Sequence, residues 1–348
     1  MNEVEKYKFD LDGYLLVKGL LGADHVQNCL AAADAVHQHI SANIDTEPRY
    51  RSSLNVDYRF DEAYQCYSYK AMAGGGVQYI IDDFLNASEA FDSLVNHEPT
   101  MRYIRDLCVG PYRIVSSELR CRHKANTTPT HMGGPMDTRN KYEFAGRPLM
   151  DTDAQKPVVR DFNLNVVRIL YALHDVPVEQ GPLCVVPGSH KANFFSPFDR
   201  MDPREEPGMI PLPMQSGDAI VFTENLRHGG FPNLTEEPRL TLHLAIGPRW
   251  IASQSPLHWD DQVYVSPQAW LRYTGEQKAL LPSPPAAAEH EANRLREEVR
   301  HLKFDNAQLL NDIQKIRGQE SQTRAQRSKN DTRDGLFKRM RRAIISSK

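Results

Sequence analysis

The strongest constraint on the fold is a series of short β-rich runs that begins at residue 112. Clusters of Gly, Pro and Asn separate the runs, which occupy residues 112–122, 163–174, 183–186, 218–223 and 240–246. Such a series predicts antiparallel strands that close into a sandwich or a barrel. Ahead of it, we predict a short apolar strand within residues 9–21 and, from apolar spacings of three and four, a helix over residues 24–42. We therefore expect an α+β fold.

The overall charge gives no sign of a nucleic-acid partner. The chain has 42 Lys and Arg against 45 Asp and Glu, a net charge of −3 at pH 7. No apolar run approaches the roughly 18 residues that a membrane span needs. The first residues lack both the basic and the apolar region of a signal peptide. We expect a cytoplasmic protein that does not bind nucleic acid.

A proline-rich segment divides the chain. Pro282, Pro284 and Pro285 lie close together and are followed by three alanines, a composition that cannot continue a helix or a central strand. We predict a globular domain over 1–280, a linker over 281–290, a short coiled-coil helix over 291–318 and a basic tail over 319–348.

The helix after the linker has a heptad pattern. Leu295, Leu302 and Leu309 fall at the d positions. Val299, Asn306 and Ile313 fall at the a positions. β-Branched residues at a, leucine at d and one asparagine at a favour a parallel two-stranded coiled coil, so we predict a homodimer through residues 295–316. The alternative is a single helix that packs on the globular domain.

The last residues carry excess positive charge. Residues 318–348 contain nine Lys and Arg against three Asp and Glu, and residues 335–345 put apolar side chains on one helical face among basic ones. This pattern is typical of segments that contact an anionic membrane or a partner protein. We predict a peripheral membrane contact for the tail, with a solvated, frayed terminus as the alternative.

Two histidines stand in glycine-rich segments next to predicted strands. His131 lies in the run Thr-His-Met-Gly-Gly-Pro-Met-Asp at 130–137, and His228 lies in Asn-Leu-Arg-His-Gly-Gly-Phe-Pro-Asn at 225–233. Neutral imidazole is the commonest protein ligand for iron-like metals. Taken alone, each histidine fits a hydrogen-bonded structural or surface role better than a ligand role.

The surrounding sequence resembles the phytanoyl-CoA dioxygenase family of Fe(II)/2-oxoglutarate-dependent oxygenases. The resemblance rests on the run Gly-Pro-Leu-Cys-Val-Val-Pro-Gly-Ser-His-Lys at 181–191, on His228, on Arg239 eleven residues later and on the opening segment 12–21. It implies a double-stranded β-helix, or jelly-roll, core with flanking helices, here followed by the coiled-coil helix. It also implies Fe(II) and 2-oxoglutarate as cofactors and a small-molecule substrate.

The resemblance assigns roles to three residues of this chain. His131 becomes the proximal iron ligand, His228 the distal ligand and Arg239 the partner of the 2-oxoglutarate 5-carboxylate. The last assignment agrees with the chemistry, because a planar guanidinium is the best bidentate partner for a carboxylate.

The chain departs from the family pattern at Gly133, where the family has the aspartate of an H-x-D motif. The H-x-G variation resembles iron halogenases, in which the missing carboxylate leaves a position for chloride, so Gly133 marks a candidate chloride position. Alternatively, Asp137 supplies the carboxylate from an unusual spacing, a water fills the gap beside two histidines, or the domain has lost its metal.

One further charged residue stands out in the predicted strand 163–174. Strand alternation puts Arg168 on a face that is otherwise apolar. Arg168 either pairs with an acid at the barrel mouth or contacts an anionic substrate or cofactor.

We therefore predict an Fe(II)/2-oxoglutarate-dependent enzyme that acts on an unactivated C–H bond of a small organic substrate. The H-x-G motif favours chlorination, and hydroxylation is the other outcome. The alternative is a non-catalytic jelly-roll binding module on a coiled-coil scaffold.

Overall fold

The structure, a computed structural model, describes most of the first 286 residues and part of the following helix. The described residues are 1–52, 56–108, 110–133, 144–145, 149–151, 156–158, 161–162, 164–192, 194, 196–253, 262–286, 289, 291–292, 295–296, 299, 302–303, 306–317 and 319. The chain consists of two compact units, one of residues 1–294 and a second of residues 295–348.

Helices precede, interrupt and follow the strands of the first unit. The helices are α1 (Glu3–Asp12), α2 (Ala23–Asn43), α3 (Glu98–Leu107), α4 (Pro267–Arg272) and α5 (Gly275–Lys278). The strands are β1 (Tyr14–Val17), β2 (Tyr50–Arg51), β3 (Asp57–Asp61), β4 (Cys66–Ala73), β5 (Gly76–Asp82), β6 (Tyr112–Arg122), β7 (Thr128–His131), β8 (Phe144–Ala145), β9 (Leu149–Asp151), β10 (Lys156–Val158), β11 (Asp161–Phe162), β12 (Val167–Ala172), β13 (Leu183–Val185), β14 (Ile210–Pro211), β15 (Ala219–Thr223), β16 (His228–Gly230) and β17 (Arg239–Pro248).

Two antiparallel sheets form the body of this unit. The major sheet has the order β1-β15-β12-β17-β6-β5-β4-β3-β2, and the minor sheet has the order β14-β13-β16-β7. Two small ribbons, β9 with β10 and β8 with β11, complete the described pairings. This mixed arrangement of helices and antiparallel sheets is consistent with the predicted jelly-roll core.

The two faces of the major sheet have different neighbours. Apolar side chains on one face, such as Leu119, Leu242 and Ile169, pack in the large core together with α2 and α3 residues including Val36 and Ile104. The opposite face forms a second, smaller core that reaches the minor sheet, with Leu170, Phe222, Leu183 and Leu226 among its members. The candidate site lies on this second face.

The five predicted β-rich runs and the helix 24–42 each contain an element of the expected type. The opening segment differs, because residues 9–12 belong to α1 and only Tyr14–Val17 form a strand. A capping box between Asn2 and Glu5 fixes the start of α1, and Gly13, with φ of 83°, ends it. The strands β2 to β5 were not predicted, and they extend the major sheet beyond β6.

The described positions of the second unit are helical. The apolar side chains of the predicted seam are exposed there, with exposed fractions of 49% for Leu295, 55% for Leu302 and 59% for Leu309. The coiled coil and the domain boundaries remain predictions, and the basic tail lies almost entirely outside the described residues. Within the described part of the chain, no helix has the length and apolar character needed to span a membrane.

Candidate functional site

The minor sheet brings the two predicted histidines together. Antiparallel pairing of β7 with β16 puts His131 directly opposite His228. Their ring centroids are 4.2 Å apart, with an angle of 54° between the ring planes. Two residues that are far apart in sequence therefore present their imidazoles to the same point.

Backbone carbonyls orient both imidazoles in the same way. Nδ1 of His131 lies 2.8 Å from the carbonyl oxygen of Pro129, and Nδ1 of His228 lies 2.7 Å from that of Leu226. Because a carbonyl oxygen only accepts hydrogen bonds, each Nδ1 carries the proton and donates it. Burial lowers the pKa of both histidines, so both rings are neutral near pH 7. Each Nε2 then keeps a lone pair for a metal ion.

A glutamate that directly follows β15 of the major sheet fills the space beside Gly133. A Cβ atom on Gly133 would overlap Oε2 of Glu224 and lie 2.9 Å from its Cδ. The Gly133 N–H also donates to the backbone carbonyl of Glu224 over 2.9 Å. Gly133, which has no side chain, therefore lies next to the carboxylate of Glu224.

An alternating row of charges holds this carboxylate. Arg168 donates from Nε to Oε1 of Glu224 and from Nη1 to Oε1 of Glu118, the latter over 3.0 Å. Arg120 donates to the other oxygen of Glu118 over 2.6 Å. Burial alone would raise the pKa of Glu224, but the Arg168 charge lowers it below its ordinary value, so Glu224 is ionised. Glu224 and Glu118 are therefore acid partners of Arg168, as one of the two alternatives for this residue predicted. A contact of Arg168 with a substrate or anion stays a prediction.

Two buried arginines lie further along the same face of the major sheet. Arg239 on β17 is paired directly with Arg122 on β6. Both donate to the carbonyl of Gly181, and Arg122 also donates to Thr128 and, over 3.1 Å, to the carbonyl of Phe231. Among the residues that the structure describes, neither arginine has a carboxylate partner, and Nε of each is buried without a hydrogen bond.

The close pairing of these arginines has an electrostatic cost. Burial and Arg120 lower the pKa of Arg239 to about 10. Burial, with Arg239 as the next cause, lowers the pKa of Arg122 well below its ordinary value. Gly230 leaves room for the Arg122 guanidinium, because a Cβ there would overlap Nη1 and lie 2.6 Å from Nη2. Two adjacent buried cations with no acid beside them among the described residues are a candidate site for an anion.

The Arg122 guanidinium lies against β16, the short strand that also carries His228. His228 and Gly230, which lies against Arg122, are two residues apart on one strand, which corresponds to about 7 Å. A five-carbon dicarboxylate can bridge that distance. The donor set therefore fits a metal ion at the histidines together with a dicarboxylate whose far end reaches the arginines.

Of the predicted site residues, Asp137 alone lies outside the described residues, so its ligation of iron remains a prediction. Among described side chains, no three His, Cys, Asp or Glu already stand in an arrangement that would hold a metal.

Sequence reasoning missed Glu224, Glu118 and Arg122. Glu224 had one available signal, a carboxylate four residues before His228 at the end of a predicted strand. Arg122 had a weaker one, since alternation along 112–122 puts Arg120 and Arg122 on one face.

The chain matches the family model of phytanoyl-CoA dioxygenase over residues 9–241. The curated protein Dioxygenase trt7 from Aspergillus terreus (strain NIH 2624 / FGSC A1156) is 36% identical over 80 residues. That alignment covers 23% of this chain and 26% of the relative, so the match spans only about a quarter of the relative's length.

The solved structures that the chain matches include two proteins whose descriptions name 2-oxoglutarate or alpha ketoglutarate. HygX from Streptomyces hygroscopicus, with nickel and 2-oxoglutarate bound, has a TM-score of 0.53 and 19% identity, with 73% of this chain and 89% of that chain covered. The non-heme alpha ketoglutarate dependent epimerase SnoN from nogalamycin biosynthesis has a TM-score of 0.49 and 20% identity, with 74% and 86% covered. From the family match, the chain belongs to the phytanoyl-CoA dioxygenase family, whose cofactors are Fe(II) and 2-oxoglutarate.

Proposed function

We propose that this protein is an Fe(II)/2-oxoglutarate-dependent oxygenase that oxidises a C–H bond of a small organic substrate. The observation that carries the proposal is the register pairing of His131 with His228, each oriented through Nδ1 so that Nε2 remains available. When bound, Fe(II) with 2-oxoglutarate and O₂ supplies the oxidising power. The chain's own residues hold the metal, orient the 2-oxoglutarate and keep water from the buried face.

We assign the 2-oxoglutarate 5-carboxylate to Arg239 and Arg122. Both guanidinium groups are buried, they lack acid partners among the described residues, and each has a buried Nε with no acceptor. A bound carboxylate would offset the repulsion between the two cations and supply acceptors for their N–H groups. Arg122 is thus a second partner beside Arg239, which the family resemblance had already implied.

We propose hydroxylation rather than chlorination as the outcome on the substrate. The halogenase interpretation requires space for chloride beside Gly133, and the ionised Glu224 carboxylate lies against that position. A second anion there would meet like-charge repulsion in a buried site of low dielectric. Chlorination is the competing outcome, and chloride dependence separates the two.

The second candidate is a non-catalytic binding module. It is favoured by one observation, that the described side chains contain no ready-made group of three metal-binding residues. The two histidines and the unpaired arginines support the enzyme instead, because a module without cofactors has no use for two adjacent buried cations. Binding of Fe(II) decides between the two candidates.

We also propose that residues 295–316 join two copies of the chain in a coiled coil, within a chain divided as 1–280, 281–290, 291–318 and 319–348. The proposal rests on the heptad pattern and on the exposure of its apolar side chains. A cytoplasmic location and a membrane contact of the basic tail are proposals of the sequence alone.

The iron site is tested by replacing each histidine. His131→Ala and His228→Ala should each abolish stoichiometric binding of Fe(II), measured anaerobically by equilibrium dialysis, while the circular dichroism spectrum stays that of the wild type. The physical reason is that each variant removes one of two neutral imidazole ligands. His25→Ala, which removes a half-buried histidine that bonds Ser93 on the helical side, serves as the control. Stoichiometric iron in either site variant would refute the assignment.

The arginine assignment is tested by the affinity for 2-oxoglutarate. Arg239→Met and Arg122→Met should keep Fe(II) and weaken 2-oxoglutarate by about 2–5 kcal/mol, since each removes a buried charge-assisted contact. That range corresponds to at least about a 30-fold rise in dissociation constant, measured by anaerobic calorimetry with Fe(II) present. Arg105→Met, at an exposed ion pair on α3, should leave the affinity unchanged. An unchanged affinity in both site variants would contradict the assignment.

The choice of hydroxylation is tested by chloride. The visible charge-transfer band of the Fe(II)–2-oxoglutarate complex should be the same with and without chloride at constant ionic strength, because no chloride enters the site. Sodium nitrate serves as the ionic-strength control. A chloride-specific shift of the band would favour chlorination.

The dimer is tested by charges introduced into the seam. Leu302→Glu with Leu309→Glu should convert a dimer into a monomer in sedimentation at micromolar concentration, because both d positions would bury a carboxylate. Gln308→Glu, on the outer side of the same helix, should leave the dimer intact. A monomeric wild-type chain at that concentration would reject the proposal.

A further inference from the structure

The family motif lacks its carboxylate at Gly133, yet the structure has a carboxylate within reach of that position. A Cβ atom on Gly133 would overlap Oε2 of Glu224. An aspartate at 133 would therefore compete with Glu224 for the same volume. The two positions are alternative sources of one carboxylate.

The connection between β15 and β16 delivers Glu224 to this point. Glu224 directly follows β15 of the major sheet, and four residues later His228 begins β16 of the minor sheet. The hydrogen bond from Gly133 N–H to the Glu224 carbonyl ties the end of β7 to the same connection. The segments that carry His131, His228 and Glu224 therefore converge on one place.

The distance to the histidine is compatible with a shared cation. Oε2 of Glu224 lies 3.9 Å from Nε2 of His228. Metal bonds to nitrogen and oxygen ligands measure about 2.0–2.2 Å, so two ligand atoms of one ion are separated by at most about 4.4 Å. The pair lies within this limit, and a small adjustment of the side chains would bring His131, His228 and Glu224 onto one ion, since no described group of three already has that arrangement.

The charge and orientation of Glu224 are those of a metal ligand. Its side chain is buried, with an exposed fraction of 5%. Arg168 occupies Oε1, which directs Oε2 toward the histidines. Glu118 and Arg120 extend the row and fix Arg168 in turn. Outer partners of this kind orient metal-binding carboxylates.

We propose that Glu224 supplies the carboxylate ligand of the iron site, so that His131, His228 and Glu224 form a two-histidine, one-carboxylate set in which the carboxylate comes from E-x-x-x-H instead of H-x-D. This inference rests on the proposed iron site and adds the identity of its third protein ligand. Arg168 is then a positioning residue for the iron site.

The first experiment measures Fe(II) affinity in Glu224→Gln. This change keeps the shape of the side chain and removes its charge, so the dissociation constant, determined by anaerobic equilibrium dialysis, should rise at least about 100-fold, beyond the usual 10- to 100-fold effect of outer-sphere partners. Asp61→Asn is the matched control, because Asp61 is also a buried carboxylate paired with an arginine, on β3. Its Fe(II) affinity should equal that of the wild type.

The second experiment moves the carboxylate back to position 133. Gly133→Asp alone should lower the melting temperature, since its side chain overlaps Glu224. Combining Gly133→Asp with Glu224→Ala removes the overlap and should restore Fe(II) affinity to within about tenfold of the wild type. Glu224→Ala alone should bind iron as weakly as Glu224→Gln.

The outcomes show whether a failure lies in this inference or in the proposed function on which it rests. Wild-type affinity in a folded Glu224→Gln variant would overturn the role of Glu224 and leave the two-histidine site standing. A wild-type protein that binds no Fe(II) would overturn both. Weak Fe(II) binding in Glu224→Gln, with affinity restored in the double variant, supports the inference. Weak binding in both variants would contradict the claim that a carboxylate at position 133 can replace that of Glu224.

Discussion

The alternation of side chains along β6 and β17 is the constraint on which the site depends. These strands pair over nearly their whole length. One set of alternate residues, including Leu119 and Leu242, packs in the helical core. The other set, including Glu118 and Arg239, faces the minor sheet. A single strand pair therefore anchors the helices and carries the charges, and a slip of one residue would exchange the two faces.

The charged face has two parts with different requirements. Around Glu224, acids and arginines alternate, so each buried charge has an opposite neighbour. Around Arg122 and Arg239, described acids are missing and the cations face each other. In the first part, the buried charges are balanced within the folded chain. The second part leaves two buried cations without a described acid, which is why the arginine pair indicates an anionic ligand more strongly than any isolated charged residue does.

The sequence was most informative where the signal is local. The strings around His131 and His228 were sufficient to nominate both residues, and alternation identified Arg168 as a charge on an apolar face. The contact between Gly133 and Glu224 could not be predicted from local sequence, because it depends on how the two sheets are placed against each other. Arg122 was visible as a strand residue, but its pairing with Arg239 is a long-range property. The strands β2 to β5 were missed although Tyr58 and Phe60 alternate with polar residues, a pattern that the sequence analysis did not use.

The proposed anion site at the arginine pair would also link the stability of the folded protein to the concentration of its ligand. A ligand that binds only the folded form stabilises it by RT ln(1 + [L]/Kd), about 2.7 kcal/mol when the ligand is at 100 times its dissociation constant. Repulsion between Arg122 and Arg239 destabilises the folded form, so an anion bound between them would stabilise the folded protein. On the proposed assignment, scarcity of 2-oxoglutarate would leave a larger fraction of molecules open to proteases and would lower the abundance of the protein.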